Sequence, residues 1–187
     1  MKYLMRTTIS PVAVLLPLLL VGCSAMENSQ RERKADRYFR LGYFGNACSN
    51  YGELVAENPG DPDLQRKHRV SRVAAMLQQG QEAFFEDRVD EGERWFRRVL
   101  ALVPEQKQAL AWLERTRRKQ SEELAREAKR QFDLDHREKA LRLTRRALEL
   151  HGENRRAAEL LARIEEQKRR EQAKGRDLLE RGMKRLM

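Results

Sequence analysis

From Gly80 to Pro104 the apolar positions of GQEAFFEDRVDEGERWFRRVLALVP follow the α-helical period. Ala83, Phe84 and Phe85 close one helix, and Gly92, Trp95, Phe96, Val99, Leu100 and Val103 share a face of the next. Glu86, Asp87 and Arg88 between them are few and polar, which predicts a tight turn joining two antiparallel helices. Pro104 stops the second helix, because it has no N–H to donate. The pattern recurs on both sides. Gly42, Phe44, Ala47, Tyr51, Leu54 and Pro59 upstream, and Asp135, Arg137, Ala140, Thr144, Ala147 and Gly152 downstream, stand at the offsets of Asp87, Val89, Gly92, Phe96, Val99 and Pro104.

This spacing resembles the tetratricopeptide repeat, a helix-turn-helix unit of about 34 residues. The first unit carries the resemblance best, with Gly42-Tyr43-Phe44, then Ala47, Tyr51 and Asn58-Pro59-Gly60-Asp61. The second keeps Gly80 in its first helix and Pro104 at its close but has Asp87 at the turn, and the third has Ala128 and Gly152 at those first-helix and closing positions. The resemblance implies an all-α fold, a stacked helix-turn-helix solenoid. Pro59 to Pro104 is 45 residues and Pro104 to Gly152 is 48. The surplus over the regular repeat predicts extended first helices in units two and three, about Pro62 to Glu86 and Glu105 to Phe132, projecting beyond their shorter partners.

Local signals agree with that reading. Asp61 is placed to cap a helix with Pro62 at its first position, and Asp135-His136-Arg137-Glu138 has the form of a capping box. Glu93 and Arg97, Glu114 and Arg118, Glu122 and Arg126, Glu159 and Arg163, and Glu165 and Arg169 stand at i,i+4 on exposed helix faces. A last helix starts near Glu153 and runs toward Met187, with Gly175 as the point where it would break. Its end carries Leu178, Leu179, Met183 and Leu186 on one side, which fits either a solvating cap or the first helix of a fourth unit belonging to a longer chain.

The N-terminus reads differently. Lys2 and Arg6 precede the apolar run Val12 to Val21, which is short and interrupted by Pro17, as in a secretory signal. Leu20-Val21-Gly22-Cys23 resembles a bacterial lipobox, which implies cleavage before Cys23 and lipidation of its thiol. By resemblance to lipoprotein sorting in Gram-negative cells, Ser24 in the next position implies the outer membrane, facing the periplasm. The resulting organisation is a signal peptide over 1–22, a polar tether over 23–34, repeat-like units over 35–61, 62–104 and 105–152, and a basic terminal helix over 153–187. With Cys23 lipidated, Cys48 has no intramolecular partner, and its place beside Ala47 on a packing helix favours burial.

Composition narrows the function. The chain carries +10 at pH 7, and +8 remains once Lys2 and Arg6 are removed. Lys168, Arg169, Arg170, Lys174, Arg176, Arg181, Lys184 and Arg185 concentrate the basic excess in the last twenty residues. Such a patch suits an acidic partner, anionic lipid or glycan; the export signal argues against nucleic acid. His68, His136 and His151 lack metal-ligand spacing, and no nucleophile motif or phosphate-binding glycine loop is present, so neither an enzyme nor a cofactor is expected.

In the repeats that this chain resembles, first helices line a groove for peptide or helical segments. Carried over by position, the resemblance selects Asp36, Phe39 and Arg40 in unit one, Leu77, Gln81, Phe84 and Phe85 in unit two, and Ala125, Lys129 and Phe132 in unit three. Glu32 and Asp36 replace the Lys/Asn pattern that clamps a terminal carboxylate, so a free C-terminus is not the expected ligand. Trp112 lies beyond the regular repeat and is expected to pack on Val70, Val73 and Leu77 or to form a contact patch. The implied role is a lipid-anchored adaptor for another envelope protein, comparable in architecture to the pilotins of secretins and type IV pili. The alternative is a structural or regulatory envelope protein that holds anionic lipid or glycan with its last helix.

Overall fold

The computed structural model describes residues 12–184, with side chains from Met26 onward. Residues 1–11, Arg185, Leu186 and the side chain of Cys23 lie outside the described residues. Seven helices and no strand are present among the described residues: α1 (Val12–Arg40), α2 (Phe44–Glu57), α3 (Pro62–Phe85), α4 (Val89–Leu102), α5 (Lys107–Asp133), α6 (Arg137–Leu150) and α7 (Arg155–Lys184). No described helix is long and apolar enough to cross a membrane. The chain divides inside α3 into two compact bodies, 1–78 and 79–187.

Three hairpins repeat one backbone turn. Among the described residues Gly42, Asp87 and Asp135 stand at positive φ, 81°, 64° and 60°. At each, the residue's own N–H and the next one close the preceding helix: Gly42 to Phe39 O and Tyr43 to Tyr38 O, Asp87 to Phe84 O and Arg88 to Ala83 O, Asp135 to Phe132 O and His136 to Gln131 O. These paired bonds satisfy the last carbonyls of α1, α3 and α5. Asp serves in two of the turns because aspartate, with Asn, tolerates the left-handed region better than most side chains. Each second helix is 14 residues long.

Small residues face each other where the two helices of a hairpin cross: Ala35 and Ala47, Gly80 and Gly92, Ala128 and Ala140, all of them buried. One turn on, Tyr51, Phe96 and Thr144 occupy equivalent buried positions, 3 %, 0 % and 0 % exposed. In the middle hairpin a Cβ added to Gly92 would lie 3.0 Å from Gly80 O, so the two backbones meet directly.

The N-terminal body packs Ala35, Ala47, Tyr51, Leu54 and Leu64 together, with Tyr38, Phe39 and Val55 around them. The tether expected over 23–34 is helical, part of α1, and it is tied down. Arg31 forks onto both Glu57 oxygens at 2.7 Å, and Lys67 Nζ lies 2.6 Å from Glu32. Asp61 Oδ1 accepts from Asp63 and Leu64 N–H, as its place before Pro62 predicts. The capping box at Asp135 does not form: Asp135 takes the left-handed turn position, its carboxylate accepts from Arg137, and His136 becomes the N-cap without a side-chain bond.

In the C-terminal body α5, 27 residues long, does not project into solvent. Its first half buries Ala109, Leu113 and Thr116, and α4 packs on α5. Its second half buries Ser121, Ala125, Ala128 and Gln131, and packs with α6 and α7. Ser121, Ala147 and Asn154 form a buried corner: Ser121 Oγ donates to Ala147 O at 2.7 Å and accepts from Asn154 Nδ2 at 2.7 Å, while Asn154 Oδ1 caps α7 through Ala157 N–H. α7 continues through Gly175 without a break. Of the five Glu/Arg pairs, Glu93–Arg97 closes at 2.6 Å. Arg169 turns instead to Glu166 and Glu159 to Arg155, since each such choice is worth only a few tenths of a kcal/mol.

Candidate functional site

The predicted partner-binding residues fall in both bodies. Asp36, Phe39, Arg40 and Leu77 belong to the N-terminal one, where three of the four are spoken for by the fold. Asp36 accepts from the Tyr51 hydroxyl and from Lys67 Nζ. Burial, then the hydrogen bond to Asp36, pushes the Tyr51 phenol well above its ordinary range, so it stays a neutral donor. Phe39 packs edge-on to Phe44 against the core. Leu77 is 6 % exposed and open to no ligand. Arg40 alone is exposed.

In the C-terminal body Phe84 and Phe85 meet Trp112, at ring-centroid distances of 5.4 and 5.6 Å. Trp112 also stacks on Phe96 at 5.9 Å and 13°. The rings that hold it are therefore at the end of α3 and on α4, where the sequence pointed to Val70, Val73 and Leu77. Lys119 Nζ sits 5.0 Å over the Phe84 ring and 2.5 Å from Asp87, whose carboxyl it holds below the usual range. Arg115 covers the Trp112 face. Phe85, 75 % exposed, is the accessible edge of this cluster, and Gln81 is half-buried.

The third-unit residues lead to a groove on α5. It has a volume of about 680 Å³ and runs between α5 and the first half of α7. Its floor is Ala125 and Leu160; its walls are Arg126, Lys129, Arg130, Arg156 and Arg163, with Glu123 and Glu159 among them. Ala125 is buried with Ala147 and Ala157, so it shapes the floor without offering reach. Phe132 is drawn out of the groove into packing with Ala128, Ala140, Leu160 and Ile164. Lys129 stands at the lip, paired with Asp133 at 2.5 Å, and Arg130 pairs with Glu127. Gln131, and then the charge of Arg130, holds the Glu127 carboxyl below its ordinary value. Arg126, Arg156 and Arg163 have no acidic partner within salt-bridge distance among the described residues. An apolar floor under unpaired guanidinium groups suits a short acidic segment bearing an aliphatic anchor.

Sequence reasoning missed Arg126, Arg130, Arg156, Leu160 and Arg163. The available signal was Ala157, Leu160 and Ile164 at i, i+3 and i+7, an apolar face that has to lie on α5 and α6. Cys48 is half-buried and its thiol unpaired. His68 lies against Gly52, His136 Nδ1 faces Gln131 Oε1 at 2.9 Å, and His151 is near Glu114. No group of metal-ligating side chains is assembled among the described residues. The terminal cations Lys168, Arg169, Arg170, Lys174, Arg176, Arg181 and Lys184 are all exposed along α7.

No family model matches this sequence, and no curated protein does. Among solved structures it is similar to the first tetratricopeptide domain of Spaghetti (RPAP3) bound to the HSP90 peptide SRMEEVD. Identity is 18 %, over 75 % of this chain and 92 % of that one, with a TM-score of 0.23. At that TM-score the likeness does not bear on what this chain binds. The helix-turn-helix repeat rests on the three matching turns and crossings within the chain itself.

Proposed function

We propose that this chain is a non-catalytic interaction scaffold of the bacterial cell envelope, anchored through Cys23 to the outer membrane and facing the periplasm, which holds an acidic segment of another envelope protein. The observation that carries the reading is the groove between α5 and α7, with Leu160 as its floor and Arg126, Arg156 and Arg163 unpaired on its walls. Guanidinium forks directed at carboxylates fix orientation, while the floor accepts one apolar side chain. The lipobox-like Leu20-Val21-Gly22-Cys23 supports the anchor, and anchoring keeps the groove within reach of envelope assemblies such as secretion or pilus machines.

A photo-crosslinking side chain placed at Lys129 tests it in cells. A discrete adduct to an envelope protein is expected. It should disappear with Arg126→Glu plus Arg163→Glu and be absent when the probe sits at Arg145. An adduct that survives the charge reversal, or an equal adduct from Arg145, removes the groove from the account. Mass spectrometry of the mature N-terminus tests the anchor: a Cys23 without lipid overturns it.

A further inference from the structure

The apolar stripe of α7 is interrupted on its own face by Lys168, Glu171 and Gln172 and resumes at Gly175, past the point where its packing ends. Ala157, Leu160 and Ile164 are buried in the C-terminal body. At 100° per residue, Gly175, Leu178, Leu179, Gly182 and Met183 fall on the same side of the helix. Leu178, Leu179 and Met183 are 68 %, 69 % and 56 % exposed, and no described helix covers them.

This half of α7 repeats the register of the three helices that open hairpins. A small residue, a large one four positions on and a turn residue seven positions on read Ala35, Phe39, Gly42, then Gly80, Phe84, Asp87, then Ala128, Phe132, Asp135. Gly175, Leu179 and Gly182 repeat the spacing a fourth time, with Gly182 inside the helix and not at a turn. In the other three a 14-residue helix crosses at the small residue, most closely where Gly80 meets Gly92. A Cβ added at Gly175 or Gly182 would meet nothing within 4 Å. Each glycine in a solitary helix costs about 1 kcal/mol against alanine. Both lie on the stripe, where a second backbone approaching closely would make use of them. A helix lying on a lipid surface has no such use for glycine.

Charge selects the occupant. Lys168, Arg169, Arg170, Lys174, Arg176, Arg181 and Lys184 stand against Glu171, Asp177 and Glu180 over this half, and like charge disfavours pairing with a second copy of itself. Lys168, Lys174 and Arg176 have no acidic partner among the described residues, whereas Arg181 and Lys184 pair with Asp177 and Glu180. We propose that the exposed face of the distal half of α7 takes an acidic amphipathic helix of a partner protein, laid against it as the second helix of each hairpin lies against the first. That helix would carry a small residue opposite Gly175 and a large apolar residue one turn later. The surface is separate from the groove between α5 and the first half of α7, and the two readings stand or fall independently.

The probe is an end-capped, fluorescein-labelled peptide with the sequence of α2, Phe44–Glu57, carrying Cys48→Ser. It is acidic, through Glu53 and Glu57, and supplies Ala47, Tyr51 and Leu54 on one face. Titrated with the full chain, it should bind saturably, weaken at least tenfold with Leu178→Asp plus Leu179→Asp, and be unaffected by Arg163→Ala. Amide exchange over 172–184 should slow on binding. No saturable binding up to millimolar chain, equal binding of a scrambled peptide, or unchanged affinity in the double variant overturns the proposal. Two further results do so by naming another occupant: sedimentation as a dimer that the double variant abolishes, or phosphatidylglycerol-vesicle binding with the same dependence.

Discussion

Gly80→Ala adds one methyl group at the tightest point of the middle hairpin. The new Cβ would stand 2.5 Å from Phe96 Cε1, 2.9 Å from Cζ and 3.0 Å from Cδ1. Carbon atoms in contact prefer about 3.5–4.0 Å, so the ring has to retreat by roughly 1 Å. It has nowhere to go, because Phe96 is 0 % exposed and stacks on Trp112 at 5.9 Å. Overpacking of this kind costs about 1–3 kcal/mol. The gain in helix propensity, about 1 kcal/mol, works in the other direction. Because the stacked Trp112 blocks relaxation, the clash belongs in the upper part of its range, and a net loss of about 1–2 kcal/mol is expected. At Gly175, where a Cβ meets nothing within 4 Å, the same substitution keeps the gain alone and stabilises by about 0.5–1 kcal/mol.

Urea unfolding followed by tryptophan fluorescence isolates the effect, since Trp95 and Trp112 both lie in the C-terminal body. Repeating Gly80→Ala in a Phe96→Leu background removes the ring atoms nearest the new methyl. The loss should shrink by about 1 kcal/mol or more in that cycle. If Gly80→Ala stabilises as much as Gly175→Ala, or if the cycle shows no coupling, the close crossing of α3 and α4 is not what fixes this hairpin.

Ser121→Ala strands Asn154 Nδ2 and removes a donor from Ala147 O, so chemical denaturation should show a loss of about 1–3 kcal/mol. Phe96→Ala should cost about 3–5 kcal/mol and Phe85→Ala less than about 1, because Phe85 is 75 % exposed; equal losses would contradict the assigned burial. Burial, then the charge of Arg72, holds the His68 imidazole below its ordinary 6.5. The unfolded chain therefore takes up that proton first. Stability contributed by neutral His68 is full above 6.5 and falls as pH drops from 6.5 to the lower folded value. Melting temperatures at pH 7.5 and 5.5 should differ less in His68→Gln than in the parent, and an equal drop in both assigns the effect to other groups.

The residues that a reader of the sequence could place are those whose identity a backbone requirement dictates. Gly42, Asp87 and Asp135 align because one turn geometry needs a left-handed residue at each, and Asp meets that need when glycine is missing. Ala35, Gly80 and Ala128 align because a crossing helix excludes larger side chains. Such requirements act over seven or twelve residues and leave a periodic trace. The groove has no equivalent trace. Arg126 and Arg163 are 37 positions apart and come together only through the crossing of α7 over α5, which the Ser121–Asn154 corner helps to set. Exposed cations on a helix are interchangeable in pattern, and neighbouring pairs differ by a few tenths of a kcal/mol, so no periodicity distinguishes a groove wall from a solvated face. Phe132 shows the same limit from the apolar side: its position marks the first-helix face correctly, yet Leu160 and Ile164 turn that face into core. Hairpins are thus decided by local steric demand. The groove is decided by how α7 lies against α5.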